Sequence, residues 1–143
     1  ILTVTTIILI ILIKNKKIVL SIFSNLIIIT VLNQLLKRIL QRPRPTEFRI
    51  IVETGYSFPS GHSMVSMAFY GYLIYLIYKY VKNKYLKWTL MVLLSLLIVS
   101  IGISRIYLGV HYTSDVLGGF LISISYLIIY ISAVNKFLLE KEN

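Results

Sequence analysis

Five long blocks of apolar residues limit the folds that this chain can adopt. They lie at 1–13, 18–36, 63–80, 88–103 and 116–134. About 20 helical residues, rising 1.5 Å each, are needed to cross a hydrocarbon core about 30 Å thick. Because 57% of the residues are hydrophobic and only 14% are charged, the blocks indicate an integral membrane protein. The sequence therefore predicts an all-α, polytopic membrane helical bundle with about five visible spans.

The first block is too short for a complete span, and the chain begins with Ile1 rather than Met. No small-residue cleavage site follows it, which argues against a signal peptide. We therefore expect residues 1–143 to be a single integral membrane domain that lacks its N-terminal span. Asn25, Asn33 and Gln34 interrupt the second block, so that face is expected to pack against other helices rather than lipid.

The residue composition excludes several kinds of site. The chain has no cysteine, two histidines and one aspartate, so neither a disulfide nor a thiolate zinc site is possible. These residues are also too few for a convincing metal cage, and we expect no metal and no cofactor. The net charge of +10 is attributed to residues that flank membrane spans and contact anionic lipids. No aromatic and basic RNA-binding motif is present, so no nucleic acid partner is expected, and the oligomeric state stays open.

The distribution of lysine and arginine predicts the topology. Nine of the ten lysines lie in the turns 14–17 and 79–87 and in the tail after 134, whereas the loops 37–62 and 104–115 hold all five arginines. Alternating spans place the two arginine loops on the same face. The positive-inside rule assigns the lysine turns to the cytoplasm, so the arginine loops are expected to face outward. This assignment treats the arginines as ligand-binding groups rather than topology signals.

The stretch 104–115 concentrates chemically active residues in the pattern S-R-x5-H-x3-D. His111 and Asp115 are four residues apart and would share one face of a helix. A carboxylate there can hold one imidazole nitrogen and leave the lone pair of the other for a substrate. Arg105 supplies a planar positive group suited to phosphate oxygens. The second histidine, His62, lies far away in F-P-S-G-H-S, and we expect folding to bring both histidines together over a phosphate.

The loop 37–62 contains all three prolines, which bar a continuous helix, so it is predicted to be a structured loop at or above the membrane surface. Lys37 and Arg44 can hold a phosphate together with Arg105. The Ser60 hydroxyl and the backbone N–H groups around Gly61 can add neutral donors, and a helix that starts near His62 would direct its positive end toward the anion. The remaining arginines of the loop are interpreted as surface charges near lipid headgroups: Arg38, Arg42 and Arg49.

Three motifs in order, Lys37-x6-Arg44-Pro45, Pro59-Ser60-Gly61-His62 and the stretch 104–115, resemble the signature of the type-2 phosphatidic acid phosphatase superfamily. The resemblance covers about 18–134 and implies a bundle that has six spans in the full family fold. It implies that His111 is the nucleophile, that Asp115 orients it, and that His62 is the general acid and base. It further implies metal-independent hydrolysis of a lipid phosphate through a phosphohistidine. The phosphoryl oxygens would be bound by Lys37, Arg44, Ser60, Gly61 and Arg105.

The substrate favoured at this point is undecaprenyl diphosphate, because small family members with Y-S-F-P-S-G-H-S-M resemble that kind. The alternatives are a phosphatidylglycerol phosphate or phosphatidic acid phosphatase, a lipid phosphotransferase, and a non-catalytic membrane protein that binds lipid anions. Vanadate-dependent haloperoxidase chemistry is disfavoured because those relatives are soluble. Each motif residue also has a structural interpretation: His111 as a solvated loop residue, Ser114 with Asp115 as a helix start, and Pro59-Ser60-Gly61 as a turn.

Overall fold

A computed structural model describes residues 15–47 and 49–139 of the chain. These ranges form four α-helices and contain no β-strand, which confirms the all-α prediction. The apolar block at 1–13 lies outside the described residues. The helices are α1 (Lys16–Leu40), α2 (Gly61–Tyr80), α3 (Lys84–Tyr107) and α4 (Thr113–Val134), and a short π-helical turn (Asn135–Leu139) continues the last of them.

Within the described residues, three stretches are long and apolar enough to cross a membrane: Lys16–Leu40, Lys84–Tyr107 and Thr113–Leu138, with mean hydropathies of 2.0, 2.2 and 2.0. α2 has 20 residues, enough to span about 30 Å at 1.5 Å per residue, but it is less apolar. It packs against each of the other three helices, so much of its surface meets protein rather than lipid. This placement explains why a central membrane helix tolerates buried serines and tyrosines.

Aromatic side chains and hydrogen bonds join α2 to α1 and α4. Tyr72 is fully buried, and its hydroxyl donates to the Ser21 hydroxyl across 2.8 Å. Tyr130 donates to the Ser21 carbonyl oxygen, and its ring meets that of Tyr72 edge to face at 5.4 Å. Because lipid tails are as apolar as the side chains, helices in a membrane associate through close packing and hydrogen bonds of this kind.

Two helices extend past the apolar blocks that predicted them. α1 continues to Leu40 rather than ending at 36, so Lys37 lies on a helix and not in the loop. α3 continues to Tyr107, so Arg105 lies in its last turn. Polar residues mark where a span leaves the hydrocarbon, but the backbone stays helical until a residue such as Pro43 prevents it. The connecting loops are therefore 41–60 and 108–112, shorter than predicted.

The polar face of α1 matches the prediction in two of three positions. Asn25 is buried and donates to the Ala68 carbonyl oxygen across 2.9 Å, and Asn33 is buried against the end of the second loop. Gln34 is exposed, so the expectation that it packs against another helix is wrong. Its position one residue past Asn33 turns it by about 100° around the helix, so that it borders an open cavity instead.

Both polar loops lie at the same end of the bundle and contact each other. The Ile50 N–H donates to the Leu108 carbonyl oxygen across 3.1 Å, and the Ser60 N–H donates to the Asp115 carbonyl oxygen across 3.1 Å. A β-carbon on Gly119 would lie 3.2 Å from the Ser60 carbonyl oxygen, a tight contact that glycine avoids. The prediction that the two motif-bearing loops meet is confirmed among the described residues.

Candidate active site

A cavity of about 340 Å³ opens at this end of the bundle. It collects side chains from α1, from the loop 41–60, from the start of α2 and from the loop 108–112. Both histidines border it, although 49 positions separate them in the sequence. The lining residues are Thr30, Asn33, Gln34, Lys37, Arg44, Glu53, Gly61, His62, Val65 and His111.

Arg44 connects the loop to the cavity wall. Its guanidinium donates to the carbonyl oxygens of Thr54, Gly55 and Val110 at 3.1, 3.0 and 2.9 Å. The Nη1 atom that donates to Val110 also lies 3.2 Å from His111 Nε2. These bonds fix a permanent positive charge beside the imidazole.

Glu53 places a carboxylate between two of the predicted phosphate-binding cations. Its Oε2 lies 3.0 Å from Arg44 Nη1, and its Oε1 lies 3.7 Å from Arg105 Nη1. Arg105 does not itself border the cavity and reaches it through this carboxylate. Lys37, the third cation, donates to the Tyr56 carbonyl oxygen across 2.5 Å. Glu53 was not predicted as a site residue, because a lone glutamate in a polar loop carries no local signal.

His111 and Asp115 are close but do not share a helix face. α4 begins at Thr113 with Tyr112 in the cap position, so His111 precedes the helix. His111 Nδ1 lies 3.6 Å from Asp115 Oδ2, beyond hydrogen-bond distance. The Ser57 hydroxyl donates to that Oδ2 across 2.5 Å and lies 3.3 Å from His111 Nδ1. The carboxylate therefore reaches the imidazole through Ser57, a residue that the sequence analysis missed.

Asp115 is fully buried and collects further donors. Its Oδ2 accepts the Tyr112 N–H across 2.8 Å, and its Oδ1 accepts Arg42 Nη1 across 2.8 Å. The Arg42 guanidinium also lies 4.4 Å from the centroid of the Tyr112 ring. The interpretation of Arg42 as a surface charge near lipid headgroups is therefore wrong. A buried carboxylate needs a compensating charge, and Arg42 supplies it.

The start of α2 differs from the expected arrangement of donors. Ser60 is buried, and its hydroxyl accepts the Ser63 N–H at 3.4 Å and lies 3.0 Å from the Ser63 hydroxyl. It caps the helix and does not border the cavity. Gly61 does border it, and a β-carbon there would lie 3.1 Å from Asn33 Oδ1. Likewise, α4 is not capped by Ser114 as one interpretation expected; Tyr112 holds that position and Asp115 closes the first turn.

The surroundings of His111 determine its charge and tautomer. Burial, with the nearby Arg44 and Lys37 charges, lowers the pKa of His111 to about 4 against the opposing effect of Asp115 and Glu53. The imidazole is therefore neutral near pH 7. Arg44 has only N–H donors, so His111 Nε2 must accept and the proton must lie on Nδ1, facing Ser57. The single lone pair of the neutral ring therefore lies on Nε2, where it accepts from Arg44 at the border of the cavity.

The arrangement can bind an anion next to a nucleophilic nitrogen. Arg44 and Lys37 supply positive charge, and His62 is exposed on the cavity wall, where it can exchange a proton. Within 15–47 and 49–139, no three histidine or acidic side chains are grouped so that they could hold a metal ion.

Comparisons with known proteins place the chain in a family. Residues 17–138 match the PAP2 superfamily. The chain is 41% identical over 91 residues to phosphatidylglycerophosphatase B of Bacillus subtilis (strain 168), a match that covers 62% of this chain and 44% of that protein.

Its fold resembles the crystal structure of a transmembrane PAP2 type phosphatidylglycerolphosphate phosphatase from Bacillus subtilis, with a TM-score of 0.75 and 32% identity. That match covers 82% of this chain and 59% of the other. The chain thus spans about half the length of the relatives it matches.

Proposed function

Because the chain belongs to the PAP2 superfamily, as its motifs predicted, we propose that it is a membrane phosphatase that removes a terminal phosphate from a lipid. The observation that carries this proposal is the neutral His111, which borders a cavity together with Arg44 and Lys37 and carries its lone pair on Nε2 beside Arg44. A phosphate that binds Arg44 would take over this N–H and free Nε2 for attack. A nucleophile beside fixed positive charge is what phosphoryl transfer requires.

The proposed reaction has two steps. His111 Nε2 attacks phosphorus, so that an N–P bond forms while the bond from phosphorus to the lipid oxygen breaks. His62 gives its proton to that leaving oxygen and then takes one from a water molecule. The water oxygen bonds to phosphorus, the N–P bond breaks, and inorganic phosphate is released. Ser57 and Asp115 hold the Nδ1 proton and stabilise the imidazolium while His111 carries the phosphoryl group.

The binding groups in this proposal are Lys37 and Arg44, which border the cavity, and the Gly61 N–H at the start of α2. Arg105 would contact the phosphoryl oxygens only after they displace Glu53 from it. Ser60 receives a different role from the one expected. Its hydroxyl caps α2 and its N–H is bound by the Asp115 carbonyl oxygen, so we assign it to holding Gly61 in place.

The substrate that we propose is phosphatidylglycerol phosphate. Motif resemblance alone pointed to undecaprenyl diphosphate. The names of both similar proteins favour phosphatidylglycerol phosphate instead. Both lipids present a terminal phosphate on a leaving oxygen, so the same cavity chemistry serves either.

Purified protein in detergent with excess chelator is expected to release phosphate fastest from phosphatidylglycerol phosphate, and more slowly from phosphatidic acid and undecaprenyl diphosphate. Released phosphate is measured for each lipid at matched mole fraction. Activity should persist in chelator because the proposed mechanism uses only side chains. Loss of activity in chelator that a divalent ion restores would contradict the mechanism, and no release without an alcohol acceptor would favour a phosphotransferase.

We also propose that the cavity faces outward, because lysines predominate at the opposite end of the bundle. The chain has no cysteine, so single cysteines can report the topology. In intact cells, Thr46→Cys in the exposed loop 41–60 should react with a membrane-impermeant maleimide. The matched variant Lys82→Cys, in the turn between α2 and α3, should react only after permeabilisation. The reverse pattern would place the cavity in the cytoplasm.

A further inference from the structure

A polar stripe on α1 runs from the cation cluster along the cavity wall. Thr30, Asn33, Gln34 and Lys37 all border the cavity, and their spacing of three, one and three residues keeps them on one side of the helix. Lys37 lies near the end of α1 that carries the site. Gln34 therefore lies about 5 Å, and Thr30 about 10 Å, farther along the axis toward the middle of the helix. The cavity thus continues from the charged site toward the membrane.

The members of this stripe differ in whether their polar groups are used. Asn33 is buried and donates to the Pro59 carbonyl oxygen. Thr30 is exposed and donates to the Leu26 carbonyl oxygen across 2.7 Å, which leaves its oxygen lone pairs available. Gln34 is exposed and makes no hydrogen bond to any residue in 15–47 or 49–139. The Gln34 amide is therefore accessible to a polar group that enters the cavity.

We propose that Gln34 and Thr30 form a subsite for the oxygen-rich segment that follows the terminal phosphate of a glycerophospholipid. The inference rests on the proposed function and specifies how this chain would choose among lipid phosphates. With the terminal phosphate against Lys37 and Arg44, the next atoms of the lipid pass Gln34 and then Thr30. The Gln34 amide donates to an oxygen of this segment, and Thr30 accepts from a lipid hydroxyl.

The candidate substrates differ at this depth. Phosphatidylglycerol phosphate continues from its terminal phosphate into a glycerol with a free hydroxyl and then a phosphodiester. A polyprenyl diphosphate becomes hydrocarbon directly after its second phosphate. The second phosphate of the diphosphate would lie level with Gln34, but the hydrocarbon after it would leave Thr30 without a hydrogen bond. The glycerol segment offers partners to both residues. The subsite therefore favours the glycerophospholipid through contacts distant from the reacting phosphorus.

The test compares Thr30→Val/Gln34→Leu with the wild-type protein on phosphatidylglycerol phosphate and on undecaprenyl diphosphate. We expect kcat/KM for the glycerophospholipid to fall about tenfold, mainly through KM, because neutral hydrogen bonds are lost. The value for the polyprenyl lipid should fall less, because its hydrocarbon makes no hydrogen bond to Thr30. Ser125→Ala is the matched control, since its hydroxyl makes a comparable bond to the Leu121 carbonyl oxygen on an exposed face of α4 outside the cavity.

Each outcome separates this inference from the function on which it rests. If wild-type protein releases no phosphate from phosphatidylglycerol phosphate, the proposed function fails and the subsite fails with it. If wild-type protein is active but the double variant keeps its rate on both lipids, the subsite alone is refuted. An equal loss on both lipids would show that Thr30 and Gln34 support the fold rather than select the substrate, which also refutes the inference.

Discussion

Replacement of His111 with alanine is expected to lower the rate of phosphate release by at least about a thousandfold. The variant removes the nitrogen lone pair that lies beside Arg44 at the border of the cavity. The groups bonded to His111 cannot replace it, because the Arg44 guanidinium is always protonated and Ser57 already donates to Asp115. The measurement is phosphate release from phosphatidylglycerol phosphate in detergent, together with thermal unfolding to establish that the variant is folded.

A second readout distinguishes a nucleophile from a binding residue. A brief incubation of the wild-type protein with lipid labelled in its terminal phosphate should yield a phosphoprotein that is labile in acid and stable in base, as a phosphohistidine is. His111→Ala should give none. A folded His111→Ala protein that retains more than a tenth of the wild-type rate, or that still becomes labelled, would assign the nucleophile to another residue.

Asp115→Ala is expected to reduce both the rate and the stability. The buried carboxylate accepts hydrogen bonds from Arg42, Ser57 and the Tyr112 N–H, and alanine leaves all three donors without it. We expect a loss of about 3 kcal/mol in the free energy of unfolding, in the range found when one partner of a buried ion pair is removed. The rate should fall at least about a hundredfold, since the hydrogen-bonded path from the His111 Nδ1 proton through Ser57 no longer ends on a carboxylate.

Ser57→Ala is the matched control for this variant. It interrupts the path from His111 to Asp115 but leaves the carboxylate with its Arg42 and Tyr112 donors. It should lower kcat while the melting temperature stays closer to that of the wild-type protein than to that of Asp115→Ala. If Ser57→Ala has wild-type kcat, the serine does not transmit the effect of the carboxylate. If Asp115→Ala melts like the wild-type protein, the carboxylate does not stabilise the loop junction.

The fold and the grouping of the motifs were predictable because each depends on a strong local signal. Apolar blocks the length of a membrane span require helices, and alternating spans bring the segments around His62 and His111 to one end. The unusual composition helped, since both histidines and the single aspartate of an apolar chain fell within two segments. Helix ends were less predictable, because Lys37 and Arg105 are polar yet remain helical.

The contacts between the loops could not be predicted from the sequence. The bond from Ser57 to Asp115 joins residues 58 positions apart, and the pair of Arg42 with Asp115 spans 73. Both depend on the path of the loop 41–60 across the end of the bundle, which no periodic pattern specifies. Arg42-Pro43 and Arg44-Pro45 look alike in sequence, but one arginine neutralises a buried carboxylate and the other borders the cavity.

The carboxylate of Glu53 pairs with the positive groups of the site, so an incoming anion must exchange with it. With Arg44 and Arg105 already facing an anion of the protein's own, an incoming phosphate replaces one set of charge-assisted bonds with another. The net binding free energy of the phosphate is then its own interaction free energy with the guanidinium groups minus that of the Glu53 carboxylate with the same groups. That difference limits how tightly small anions are held, including the inorganic phosphate that the proposed reaction would release. Lipids with additional contacts elsewhere in the cavity would bind more tightly than such anions.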